Sequence, residues 1–150
     1  MPESPFDPNK IEMLSFMLLK GEVENPLAYA PESYSWRHGT HFGLGYMLEH
    51  QHVRIDFTVM IEATSEEVEE FNAEAKYLYS VLYKVENLEE LVQQKDDQME
   101  AHPALIISLL AITYSTIRGA LITRLQGTAL SKVILPIIDP TELIKNNTSS

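Results

Sequence analysis

The chain is 150 residues long, with eight prolines, six glycines, no cysteine and 45% apolar residues. That is the size and composition of one globular domain able to bury most of its unfolded surface. Eleven basic residues against 22 acidic ones leave a net charge of −11, a field that repels phosphate backbones and anionic lipid heads. Nucleic acid binding and membrane insertion are therefore not expected, and the lack of cysteine excludes disulfides, thiolate metal sites and a cysteine nucleophile.

Residues 1–9 contain Pro2, Pro5 and Pro8 and show neither the cationic nor the apolar region of a signal peptide. They read as a flexible arm of a cytoplasmic protein. From Lys10 to Glu24 both alternate sets are apolar in the middle, Met13, Met17 and Leu19 on one and Leu14, Phe16 and Leu18 on the other. This pattern predicts a strand covered on both faces. Pro26 and Pro31 bracket a loop carrying Tyr29, Tyr34 and Trp36. From His41 the chain alternates Phe42, Leu44, Tyr46 and Leu48 against Gly43, Gly45 and Met47, and the small residues predict a close approach on their face.

A hairpin through His50-Gln51-His52 leads into the clearest strand, in which Val53, Ile55, Phe57, Val59 and Ile61 share one face. Six glutamates within Glu62–Glu74 predict a solvated loop or helical turn. A fourth strand follows, with Tyr77, Tyr79, Val81, Tyr83 and Val85 opposed to Lys76, Leu78, Ser80, Leu82 and Lys84. Asn87 with Glu90 suggests a capping box opening a short helix through Leu91.

Pro103 to Leu125 predicts the long helix, with proline in its first turn and Gly127 just beyond its end. Its uncharged core, Ala104–Ile117, is shorter than the roughly 17 to 25 residues of a spanning helix, so it is expected to be buried in protein. Apolar residues surround its circumference, and one sheet can cover one side only. A second subunit is expected on the other side, with Leu105, Leu109, Ile112 and Thr116 at the interface. An extended apolar stretch from Leu130 to Asp139 precedes a last helical turn at Pro140. Residues 10–145 form the single domain, and 146–150 a disordered tail.

Three stretches of the C-terminal text, Ile117-Arg-Gly-Ala-Leu-Ile-Thr-Arg-Leu-Gln-Gly-Thr128, Val133-Ile-Leu-Pro-Ile-Ile-Asp139 and Glu142-Leu-Ile144, together with the order of elements, resemble the SecB-type protein-export chaperones. The resemblance implies an α+β fold, a four-stranded antiparallel sheet with a long helix packed on it and helices sandwiched between subunits. It also implies a homotetramer without enzymatic activity that binds unfolded polypeptides in apolar grooves. Trp36, Phe42, Tyr46, Met47, Met17, Leu130 and Val133 are the surplus apolar residues expected to form such a client surface. The first expectation is a holdase that keeps preproteins export-competent, with the export motor as a partner. Ser80, where export chaperones that feed the motor carry an acid, and the short tail with Lys145 weaken that link, and the alternative is a chaperone dedicated to one partner, such as an antitoxin.

Other constellations carry less. His50 and His52 share a face but have no second cluster to complete a metal site, and His38 with His41 fares no better. Asp56 and Glu62 lie about 20 Å apart along one strand at ~3.3 Å per residue, too far for a carboxylate pair. No phosphate loop exists, and no cofactor is expected. The competing readings are a small-ligand-binding domain with its pocket between sheet and helix, and a purely structural subunit.

Overall fold

The computed structural model describes residues 6–24 and 31–148. Pro26 and Tyr29, expected in a loop, lie outside the described residues, as do Pro2 and Pro5. Of the expected flexible arm, Phe6 packs against the core and Asp7 caps a 3-10 turn over Pro8–Lys10, its carboxylate accepting from the Asn9 amide at 3.0 Å.

Four strands follow: β1 (Ile11–Glu24), β2 (Ser35–Met47), β3 (His52–Thr64) and β4 (Asn72–Val85). They form one antiparallel sheet in the order β1-β4-β3-β2, which leaves β1 and β2 as its edges. In β3 and β4 the period of two is unbroken. Val53, Ile55, Phe57, Val59 and Ile61 lie beside Tyr77, Tyr79, Val81 and Tyr83 on the buried face, while Arg54, Asp56, Lys76 and Lys84 point outward. Each buried aliphatic or aromatic side chain contributes about 1.5–3 kcal/mol, so these two strands carry much of the fold.

β1 corrects the expectation of a strand covered on both faces. Its register against β4 slips between Met13 and Ser15 and again between Leu18 and Lys20, leaving Leu14 and Leu19 as bulge residues. Each bulge flips the parity of the residues after it. The positions facing inward are therefore Ile11 and Met13, then Phe16 and Leu18, then Gly21 and Val23, and both alternate sets look apolar. Phe16 stacks on Tyr79 with ring centroids 4.8 Å apart. The close approach expected at Gly43 and Gly45 occurs instead at Gly21, where a Cβ would meet the Tyr77 ring at 2.8 Å; a Cβ at either of the other two would have no neighbour within 4 Å.

β2 begins at Ser35, so Trp36 belongs to a strand and not to the preceding loop. The glutamate-rich segment also divides differently: Glu62 ends in β3, Glu74 lies in β4, and Glu66, Glu67, Glu69 and Glu70 occupy the exposed connection. Beyond β4, α1 (Leu88–Leu91) and a small hairpin of β5 (Val92–Lys95) and β6 (Gln98–Ala101) form a crossover. Asn87 stands at the N-cap of α1 without the side-chain-to-backbone bond of a capping box; its Nδ2 donates instead to Glu90 Oε2 at 3.3 Å. Asp96 and Asp97 turn the hairpin with φ of 47° and 66°, the left-handed pair a two-residue turn requires.

The long helix is α2 (Pro103–Arg124), capped by the His102 ring, whose Nδ1 accepts from the Ala104 amide at 3.1 Å. By length and composition it could cross a membrane, because Arg118 and Arg124 are its only charges. Instead, Leu105, Leu109, Leu110, Thr113, Tyr114, Ile117 and Leu121 are buried in the core formed with the sheet. Inside that core Tyr83 and Thr113 share a hydrogen bond of 2.7 Å between their hydroxyls. Residues 133–139 form an extended strap held to α2 by the Tyr114 hydroxyl, which donates to the Pro136 carbonyl at 2.6 Å, and by Arg118 Nε, which donates to the Leu135 carbonyl at 2.7 Å. The strap ends in α3 (Pro140–Thr148), so the expected disordered tail is helical as far as Thr148.

Candidate functional site

The site lies where α3 meets β2, with α3 packed against both β2 and α2. On the inward side of β2 stand Trp36, His38, Thr40, Phe42, Leu44 and Tyr46, the residues paired with the buried positions of β3. Because β2 is an edge, this row is only partly covered: Phe42 is buried, and the others are half-buried. Trp36 and His38 are neighbours on it, with ring centroids 6.0 Å apart. Burial pushes the His38 pKa below its usual value and the Tyr46 pKa above it, so both favour their neutral forms.

The free edge of β2 is the second component. Its pairing with β3 runs from Ser35 to Met47 without a slip, so its backbone groups alternate strictly between the ladder and the outside. Phe42 faces outward: its N–H donates to Asn147 Oδ1 at 2.9 Å, and its carbonyl accepts from Asn147 Nδ2 at 3.1 Å. Trp36, His38, Thr40, Leu44 and Tyr46, at even spacing from Phe42, face outward as well. An outward row of amides and carbonyls beside half-buried aromatic side chains is the arrangement that accepts an added extended chain. Ile134 and Ile137 of the strap add exposed apolar surface nearby in sequence to α3, Ile137 being 87% exposed.

The expected client residues divide under this geometry. Trp36, Phe42 and Tyr46 come together on one face of one strand. Met47 lies on the opposite face, where with Leu48, Glu49, His50 and Met99 it lines an open depression of about 490 Å³. Met17 is 55% exposed on the outer face of β1, at the far side of the sheet. Leu130 and Val133 are core residues and offer no surface, because the turn after Gly127 folds them inward.

The expected subunit interface divides too. Leu105 and Leu109 are fully buried in the protomer's own core, whereas Ile112 is 40% exposed and Thr116 half-buried. A straight helix crossing a twisted sheet is covered along a spiral, not a stripe, so one side of the same wheel is buried early and bare later. Sequence weighed His38 only as a metal ligand and did not place Thr40 or Asn147 in a client site. The first two lack a clean apolar alternation, and Asn147 meets a residue 105 positions away.

The outer sheet face is different in kind. Glu24, Glu74, Glu62 and Arg37 stand in one cross-strand row, with Arg37 and Glu62 paired at 2.6 Å. Ser80 on the same face accepts a bond from Arg54 Nε at 3.1 Å, and Arg54 also pairs with Asp56. Asp56 and Glu62 are thus engaged separately. Among the described residues no group of three or more histidine, aspartate or glutamate side chains is placed to hold a metal ion, although the His50 and His52 rings lie 5.7 Å apart.

No protein-family model matches the chain, and no curated protein does. A solved structure does. The SecB-like chaperone Rv1957 of Mycobacterium tuberculosis, in complex with a ChAD peptide from the Rv1956 HigA1 antitoxin, superimposes with a TM-score of 0.63 at 12% identity. The match covers 87% of this chain and 91% of that one. The fold is SecB-like. In this SecB-like fold the four-stranded antiparallel sheet and long helix are the shared architecture, as the C-terminal text anticipated.

Proposed function

We propose that this chain is a non-enzymatic chaperone that holds non-native polypeptide in extended form along the edge of β2. The observation that carries the reading is the unbroken β2 register, which leaves alternate backbone groups outward beside half-buried Trp36, His38 and Tyr46. Each backbone bond to an added strand is worth about 0.5–1.5 kcal/mol net, and the apolar row adds burial of every second client side chain. The net charge of −11 keeps such a surface in solution. The antitoxin peptide held by the SecB-like structural neighbour favours a dedicated peptide partner over general preprotein export.

A small-ligand pocket between sheet and helix has less support, since Leu109, Leu110 and Ile117 fill that interface at 0% exposure. The bare face of α2, with Ile112, Ser115, Gly119 and Ile122 exposed, suits a second copy of the chain in a cytoplasmic homo-oligomer.

The test is light scattering of a chemically unfolded protein diluted into buffer with and without this chain. Dose-dependent suppression is expected, and Thr40→Pro should abolish it. Thr40 presents its N–H away from β3, so proline there removes an edge donor while sparing the ladder. Suppression that survives in a folded Thr40→Pro protein would place the client elsewhere; no suppression by the wild type would end the chaperone reading.

A further inference from the structure

The bond pair between Asn147 and Phe42 has the form of strand pairing. A residue of an added antiparallel strand would give the outward-facing Phe42 one acceptor and one donor. The Asn147 carboxamide supplies both, at 2.9 and 3.1 Å, from near the end of α3. Its helix is anchored at the other end: Leu143 is buried, and Asp139 Oδ1 accepts from the Thr141 amide at 3.0 Å. The amide is thus delivered to the middle of the edge by a packed element.

We propose that Asn147 sets the length and register of the segment that the β2 edge accepts. This rests on the chaperone reading above. The amide occupies the place of one strand residue and ends the open edge at Phe42. On one side remain Trp36, His38 and Thr40, three outward-facing residues spanning five positions, or roughly 17 Å at ~3.3 Å per residue. On the other side remain only Leu44 and Tyr46 before the 3-10 turn at Leu48–His50. The longer side also carries the Trp36 and His38 rings, which offer an apolar and aromatic seat for alternate client side chains. The edge therefore takes an extended apolar segment of about five residues seated against Trp36–Thr40, and a longer segment must run off the sheet at Phe42 or dislodge the last turn of α3.

Two fluorescein-labelled peptides of alternating phenylalanine and threonine, one of six residues and one of fourteen, test this by anisotropy with the full chain. Wild-type protein should bind both with similar affinity, because the stop prevents the long peptide from using its extra length. Asn147→Ala should tighten the fourteen-residue peptide by roughly tenfold, the equivalent of one or two net backbone bonds, and leave the six-residue peptide unchanged. Asn147→Leu, which keeps bulk and raises helix propensity while removing the bonds, should act in the same direction with α3 held in place.

Hydrogen exchange gives the register directly. The Phe42 amide should be protected in free wild type, exposed in free Asn147→Ala, and protected again there only by the long peptide. Peptide-induced protection running from Trp36 through Tyr46 in wild type, or equal gains for both peptides in the variants, would overturn the proposal alone. If wild type binds neither peptide, the chaperone reading falls and the proposal falls with it.

Discussion

The two faces of α2 have nearly the same composition and opposite fates. On one, Leu109, Leu110, Tyr114, Ile117 and Leu121 are packed in the core with the sheet. On the other, Ile112 and Ile122, each 40% exposed, alternate with exposed Ser115 and Gly119. Hydrophobicity alone does not distinguish a residue that makes the fold from one left exposed. The surroundings do: the bare face intersperses small and hydroxyl residues among its isoleucines, while the packed face keeps its one hydroxyl threonine, Thr113, bonded to Tyr83.

Substitution should pull the two faces apart. Leu109→Asp has the largest expected effect, because an unpaired charge in the core costs more than about 4 kcal/mol of the roughly 5–15 that hold a domain. Circular dichroism should show an unfolded chain at room temperature. Ile112→Asp, three residues further on, should leave the melting temperature within a few degrees while lowering the mass measured by in-line light scattering to that of a protomer. Equal melting losses in the two variants would erase the distinction between the faces.

Smaller effects are expected where α2 holds the strap. Tyr114→Phe removes the bond to the Pro136 carbonyl and should cost about 1–2 kcal/mol in urea unfolding, with faster amide exchange confined to 134–138. An unchanged exchange pattern would mean that Arg118 alone holds the strap. A further effect is expected in alkali. Burial pushes the Tyr114 pKa up to about 12 from the usual 10.0. The folded state therefore keeps a proton that the unfolded state loses, so stability is complete below pH 10 and falls as pH rises from about 10 to 12. Burial raises Tyr77, Tyr79 and Tyr83 in the same direction, so Tyr114→Phe should shallow the alkaline decline without abolishing it.

Legibility followed the regularity of the backbone. β3 and β4 were readable residue by residue because their ladders keep a strict period of two. β1 was found as a strand but misread as doubly covered, since parity reverses at Leu14 and Leu19 and sequence alone does not mark a bulge. The β5–β6 hairpin was missed because its strands are only four residues long, with Val92, Met99 and Ala101 as their apolar residues, too short for a period of two to register. Of the candidate site, Trp36, Phe42 and Tyr46 were visible as surplus apolar residues, but their shared face follows from the strand beginning at Ser35.

The sequence by itself determined the order of the four long strands and the helices, the span of α2 between Pro103 and Gly127, and the core faces of β3 and β4. These depend on local propensity and short-range periodicity, which are properties of neighbouring residues. Only the tertiary structure decided which side of α2 is covered, which edge of the sheet stays regular, and that Asn147 reaches Phe42. Those outcomes depend on sheet twist, on bulges and on contacts across 105 positions, and no local window of sequence contains them.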